Sequence, residues 1–169
     1  MPVELQAPGY LHVLINHLPI IGTGVGLFGL VIALFLRNRV ALLPVLAILV
    51  LSGISAWPVY VTGSNAYRPI MKISDNTGRD WLNEHSDRAD RVIWVFYAMA
   101  GIAAIAIVAP MKWPKSAFPL GILSLFFALG GLGAAGYIAQ AGGMIRHVEF
   151  RVPGLLPPTN TESMAMPHH

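Results

Sequence analysis

A chain of 169 residues that is 55% hydrophobic and only 11% charged lies far from an ordinary soluble domain, where roughly a quarter of the residues are charged. Its net charge of +3, with no basic cluster, gives nucleic acid no electrostatic footprint. The lack of cysteine excludes disulfides, thiolate metal sites, covalently attached c-type haem and cysteine-ligated iron–sulfur clusters, so any metal or cofactor must be held by nitrogen or oxygen.

Four apolar runs, each near or above the ~20 residues a helix needs to cross a bilayer, predict an all-α membrane protein. The expected architecture is a four-transmembrane-helix antiparallel bundle, with residues 1–169 forming a single membrane domain. Ahead of the first run stands Glu4 with no basic residue, so no cleaved leader is expected. The first helix reads over about 10–36, with His12, Asn16, His17 and Pro19 at its start and Gly22, Gly24, Gly26 and Gly29 beyond. The second reads over about 40–61, with Pro44 one turn in, where proline is tolerated.

A loop from Thr62 to about Asp90 is expected next. Its last part, GRDWLNEHSDRADR, extends the third helix, which reads over about 79–109 and is closed by Pro110. The fourth reads over about 118–141, entered between Pro114 and Pro119 and carrying Gly121, Gly130, Gly131, Gly133 and Gly136. Gly142–Gly143 either end it or lie just within it. Pro153 and Pro157–Pro158 make the following chain extended, and a tail of about 152–169 is expected to be mobile, so His168 and His169 are poor site candidates. The glycine spacings suit close helix–helix approach; the alternative is that missing side chains leave room for a flat cofactor.

The connections sort by charge. Arg37-Asn38-Arg39 and the link with Lys112 and Lys115 are basic and free of acid, whereas the other side mixes Asp75, Asp80, Glu84, Asp87 and Asp90 with Arg68, Lys72, Arg79, Arg88 and Arg91. Short basic links stay in the cytoplasm. Both termini are therefore expected on the periplasmic side of a bacterial inner (cytoplasmic) membrane.

Topology then gathers the histidines. His12 and His17 open the first helix, His85 precedes the third apolar run and His147 follows the fourth, so four crossings bring all of them to one membrane face. His12 and His17 are separated by about 7.5 Å of rise and about 140° of rotation on a regular helix, which disfavours one metal bound from a single face. His17 is the deeper. Pro19 frees the carbonyl of Ile15 and distorts this geometry.

Trp81, His85, Ala89 and Val92 recur at helical spacing and place His85 on the stripe entering the bundle. Glu84, Asp87, Arg88, Asp90 and Arg91 read as a solvated face, or as hydrogen-bonding support for a histidine. Arg146, beside His147, is suited to binding a propionate or phosphate, or to anchoring at the headgroups. Ionisable residues within spans are functional candidates by default. The candidate metal and cofactor ligands are His12, His17, His85 and His147, with Arg146 as a cofactor contact. Imidazoles from different helices suit b-type haem, and also copper or zinc.

LHVLINHLPIIG, PVYVTG at 58–63, NEHSDRA and GGMIRHVEF together resemble a widespread bacterial family of small four-helix membrane proteins of unknown function, over residues 10 to about 151. Members often carry acidic residues after the Thr-Gly of the second helix, where this chain has Ser64-Asn65-Ala66-Tyr67. The positions matching the family's histidines are His12, His17, His85 and His147. Some similar domains are joined to Rieske or cytochrome modules, which implies electron transfer at the membrane.

The leading expectation is a b-type cytochrome-like subunit of a respiratory or photosynthetic electron-transfer complex. Pairs among the four histidines would hold one or two haems b near the periplasmic face, with copper or no cofactor as alternatives. The lipid bilayer, membrane or periplasmic redox subunits and quinone are the expected partners. Tyr60, Trp57 and Trp81 are candidates for a quinone pocket or for interfacial aromatics. The alternative is a non-redox anchoring subunit that binds pigment, through chlorophyll magnesium, or lipid. A small transporter is weaker, because the spans hold no carboxylate for ion coupling. With no nucleophile-and-base constellation and no phosphate loop, catalysis by this chain alone is not expected.

Overall fold

The computed structural model describes residues 8–151; Glu4 and the tail of about 152–169, with His168 and His169, lie outside them. The chain forms α1 (Pro8–Ile15), α2 (His17–Phe35), α3 (Arg39–Ile73), α4 (Asn76–Lys112) and α5 (Ala117–Arg146), with 3-10 turns at Pro114–Ser116 and Val148–Phe150. α1 and α2 are one path interrupted at Asn16. The bundle therefore has four helices long and apolar enough to cross a membrane, and no strand among the described residues. α2 packs on α3, α3 on α4, α4 on α5 and α5 back on α2, closing the ring.

Local chemistry explains each corner. Pro19 has no N–H to give the carbonyl of Ile15, and the helix is interrupted next to that carbonyl, at Asn16. After α2 the chain reverses through Arg37, at φ 49°. The Arg37 N–H donates to Leu34 and the Asn38 N–H to Ala33, the two bonds that close a helix around a left-handed residue. The Asn38 side chain then accepts from the N–H groups of Val40 and Ala41 and starts α3.

The expected loop after residue 61 is instead a helical hairpin. α3 continues to Ile73 and α4 begins at Asn76. Composition alone suggested a loop; the two arms stay helical because they brace each other. The Tyr60 hydroxyl donates to Asp90 at 2.7 Å and the Tyr67 hydroxyl donates to Asn83. With 35 and 37 residues, α3 and α4 are about 52–55 Å long against a hydrocarbon core of about 30 Å, so the hairpin projects well past the membrane.

α5 likewise runs through Gly142–Gly143 to Arg146, past the expected end near 141. Arg151 fastens its end to the hairpin. Its guanidinium donates to the carbonyls of Met144 and Ile145, which α5 leaves without helical partners, and to Asp75 at 2.6 Å. Asp75 also accepts from the Gly78 N–H, capping α4. The Arg151 hydrogen bond, and then that from Gly78, hold the Asp75 carboxyl below its ordinary range.

Through its apolar membrane-spanning part the bundle is tightly packed. Leu30, Leu46, Leu49, Met99, Ala103 and Ala128 are almost fully buried. Glycine sets the spacing here: a Cβ on Gly53 would lie 2.4 Å from the carbonyl oxygen of Phe96, and one on Gly26 would lie 2.6 Å from Leu49. Ser52 donates to the Pro19 carbonyl at 3.2 Å and so satisfies a polar group deep in the bundle. Phe28, Phe35, Leu51 and Phe126 project outward, as a lipid-facing surface requires.

Candidate cofactor site

The packing opens at the hairpin end. α2 is 19 residues long, about 28 Å, which puts His17 just inside the edge of the hydrocarbon core and His12 at the interface. A cavity of about 820 Å³ begins at this level, lined by residues of α1, the start of α2, α3, α4 and α5. Its volume falls within the roughly 300–1,000 Å³ of cofactor and ligand sites.

Two imidazoles come together in it. The Nδ1 of His12, on α1, is 3.0 Å from the Val59 carbonyl of α3. The Nδ1 of His85, on α4, is 3.0 Å from the Ile138 carbonyl of α5. A carbonyl oxygen can only accept, so Nδ1 carries the proton in each ring and a neutral imidazole keeps its lone pair on Nε2. Metal-binding histidines are commonly oriented by such a bond.

Each ring also lies against a glycine. A Cβ on Gly63 would stand 2.9 Å from Cε1 of His12, and one on Gly142 would stand 3.1 Å from the His85 ring. The absence of a side chain at these two positions is what lets the imidazoles sit against α3 and α5.

The ring centres are 6.3 Å apart and the ring planes lie at 82°. Two imidazoles bound to opposite sides of one ion need about 2.0 Å for each metal–nitrogen bond and roughly 1.1 Å more to each ring centre, a span of about 6 Å. The separation of the ring centres is of that size.

The other expected ligands are placed differently. His17 lines the same cavity but lies at its exposed edge, in keeping with the large rotation expected between it and His12. Arg146 lines the cavity as well. His147 is just past the end of α5, exposed and outside the cavity lining; its Nδ1 meets Glu149 at 2.8 Å and its ring stacks on Phe150. That contact lowers the Glu149 carboxyl pKa. Of the aromatics, Tyr60 lines the cavity, whereas Trp57 is exposed and Trp81 is buried between α4 and α5, both outside the lining.

Arg88 departs from the solvated face expected for it and is 9% exposed. It donates to Glu84 at 2.7 Å and to both the Tyr137 carbonyl and Gln140 at 2.8 Å, and it lies over the Tyr137 ring. Glu84 is partly buried with it, while Asp87, Asp90 and Arg91 are exposed as expected. The signal was present in the spacing: Trp81, His85 and Arg88 follow one helical stripe, and the charge of Arg88 hid its membership. Arg88 holds Tyr137, the residue next to the carbonyl that orients His85.

No family model matches the chain, and no curated protein or solved structure is significantly similar to it.

Proposed function

We propose that the chain is a b-type cytochrome-like membrane subunit that holds one haem between His12 and His85. The observation that carries this reading is the pair of imidazoles with ring centres 6.3 Å apart, each oriented through Nδ1, inside a cavity of about 820 Å³.

The donor count favours haem over a bare ion. Among the described residues no group of three or more His, Asp or Glu side chains is placed to hold a metal. Copper or zinc would require further protein ligands, whereas haem iron brings its macrocycle nitrogens and asks the protein only for axial ligands. Chlorophyll-type magnesium, with a single axial imidazole, would leave the second histidine unexplained.

The cavity also has the right polarity for a flat amphipathic group. Ala135, Ala139, Gly142 and Gly143 form one lining stripe on α5, Phe96 and Ile93 close the deep end, and Arg146 lies toward the aqueous end. Arg146 would pair with a propionate there. Haem bound here supplies a one-electron couple at the membrane surface; the chain's own residues orient the ligands, exclude water from the deep end and neutralise the acidic edge.

The short basic turns support a periplasmic position for the haem face, by the positive-inside rule. A periplasmic or membrane-bound redox subunit is the fitting partner. The test is the absorption spectrum of the purified protein, air-oxidised and then dithionite-reduced. A Soret band that shifts on reduction, with sharp b-type bands, is expected; a colourless protein expressed with ample haem overturns the reading.

A further inference from the structure

The cavity has a side facing lipid. α1 packs on α3 and makes no comparable contact with α5, although α2 below it packs on both. Tyr10, Val13 and His17 recur along one helical stripe, are exposed, and line the cavity. On α5 the lining is small at Ala139 and at Gly143, one turn before Arg146, and a Cβ on Gly143 would meet nothing within 4 Å.

His17 is the residue that the haem reading leaves unused. Its ring makes no hydrogen bond among the described residues, and it lies just inside the hydrocarbon edge, where an unpaired polar group is costly. A ligand that satisfies it must come from the lipid phase, be flat enough for the gap between α1 and the small residues of α5, and carry a neutral oxygen at acyl-chain depth.

We propose that this lateral opening binds a lipid-soluble quinone, with a ring oxygen hydrogen-bonded to the His17 imidazole. The choice of a redox-active ligand rests on the haem reading, since a quinone ring seated here occupies the lipid-facing edge of the same cavity, next to the space that would hold the haem.

The experiment titrates the purified full chain in nanodiscs with a short-chain alkyl benzoquinone, by calorimetry, with the absorption spectrum recorded on the same samples. Saturable binding is expected, weakened about tenfold in His17→Ala, the effect of losing one hydrogen bond. Gly143→Leu, which fills the opening while leaving His17 in place, is expected to abolish binding. The haem spectrum should persist in His17→Ala, since His17 is the residue that the haem reading leaves unused.

Wild-type binding that survives both substitutions overturns the proposal, as does a fatty acid that binds where the quinone does not. A coloured protein that binds no quinone removes this site and leaves the haem reading standing. A colourless protein fails the haem reading separately, and quinone binding that still depends on His17 supports the site.

Discussion

The two halves of the bundle use small residues for opposite ends. Below the cavity, within the packed part of the bundle, Gly22, Gly26 and Gly53 are filled spaces, where any Cβ would strike Ser52, Leu49 or the Phe96 carbonyl. At the hairpin end, Gly63 and Gly142 stand back from imidazole rings, and Gly143 faces open space. Composition does not distinguish the two. What does is whether the opposite helix advances into the gap or a histidine lines it.

Substitution at Gly53 gives the largest expected effect. Gly53→Val drives a side chain into the backbone of α4, and a loss at or above the upper end of about 1–3 kcal/mol is expected. Gly143→Ala should be neutral or slightly stabilising, because alanine favours helix over glycine by up to about 1 kcal/mol. Thermal unfolding of the two variants in the same detergent compares them; equal destabilisation would erase the contrast between the halves.

Replacing the paired histidines of the cavity comes next. His12→Ala and His85→Ala should each lose bound haem and keep the fold, because both side chains border a cavity; haem content and circular dichroism report the two quantities. His147→Ala should retain full haem. A haem loss there equal to that of His12→Ala would place the ligand outside the cavity.

Gly63→Ala and Gly142→Ala should weaken haem retention less, by about 10–100-fold, since a methyl displaces the ring rather than removing it. Competition with apomyoglobin measures this. The effect should be larger at Gly63, where the clash is closer.

The smallest effect concerns pH. The Asp75 carboxyl is held below its ordinary range chiefly by Arg151, so its contribution is fully present above the unfolded value, near 3.8, and is lost as pH falls through the lower folded value. Asp75→Asn should flatten this acid limb of a melting-temperature profile, with no change at neutral pH beyond the missing ion pair. An unchanged limb would assign the acid sensitivity to other groups.

Much of the fold could be read from the chain. Four apolar runs gave four helices, and the stripe Trp81–His85–Ala89–Val92 did turn His85 inward. The hairpin was harder to read because the arms beyond residue 61 are polar and interrupted by Pro69; only their mutual bracing through Tyr60–Asp90 and Tyr67–Asn83 keeps them helical.

The same extension accounts for the different settings of His12 and His17. Depth alone favours His17, but α3 and α4 continue past the bilayer, so the bundle still encloses side chains at the level of His12. His147 was grouped by topology alone, and membership of a membrane face does not bring a residue within reach of a ligand: α5 ends one residue too early to turn it inward.

Electron paramagnetic resonance of the oxidised, haem-loaded protein tests the His12–His85 pair most directly. Imidazole planes near 82° leave the two iron orbitals that overlap with them close in energy, so a low-spin signal with large g anisotropy is expected. A high-spin signal, as from a single axial histidine, would contradict the assignment.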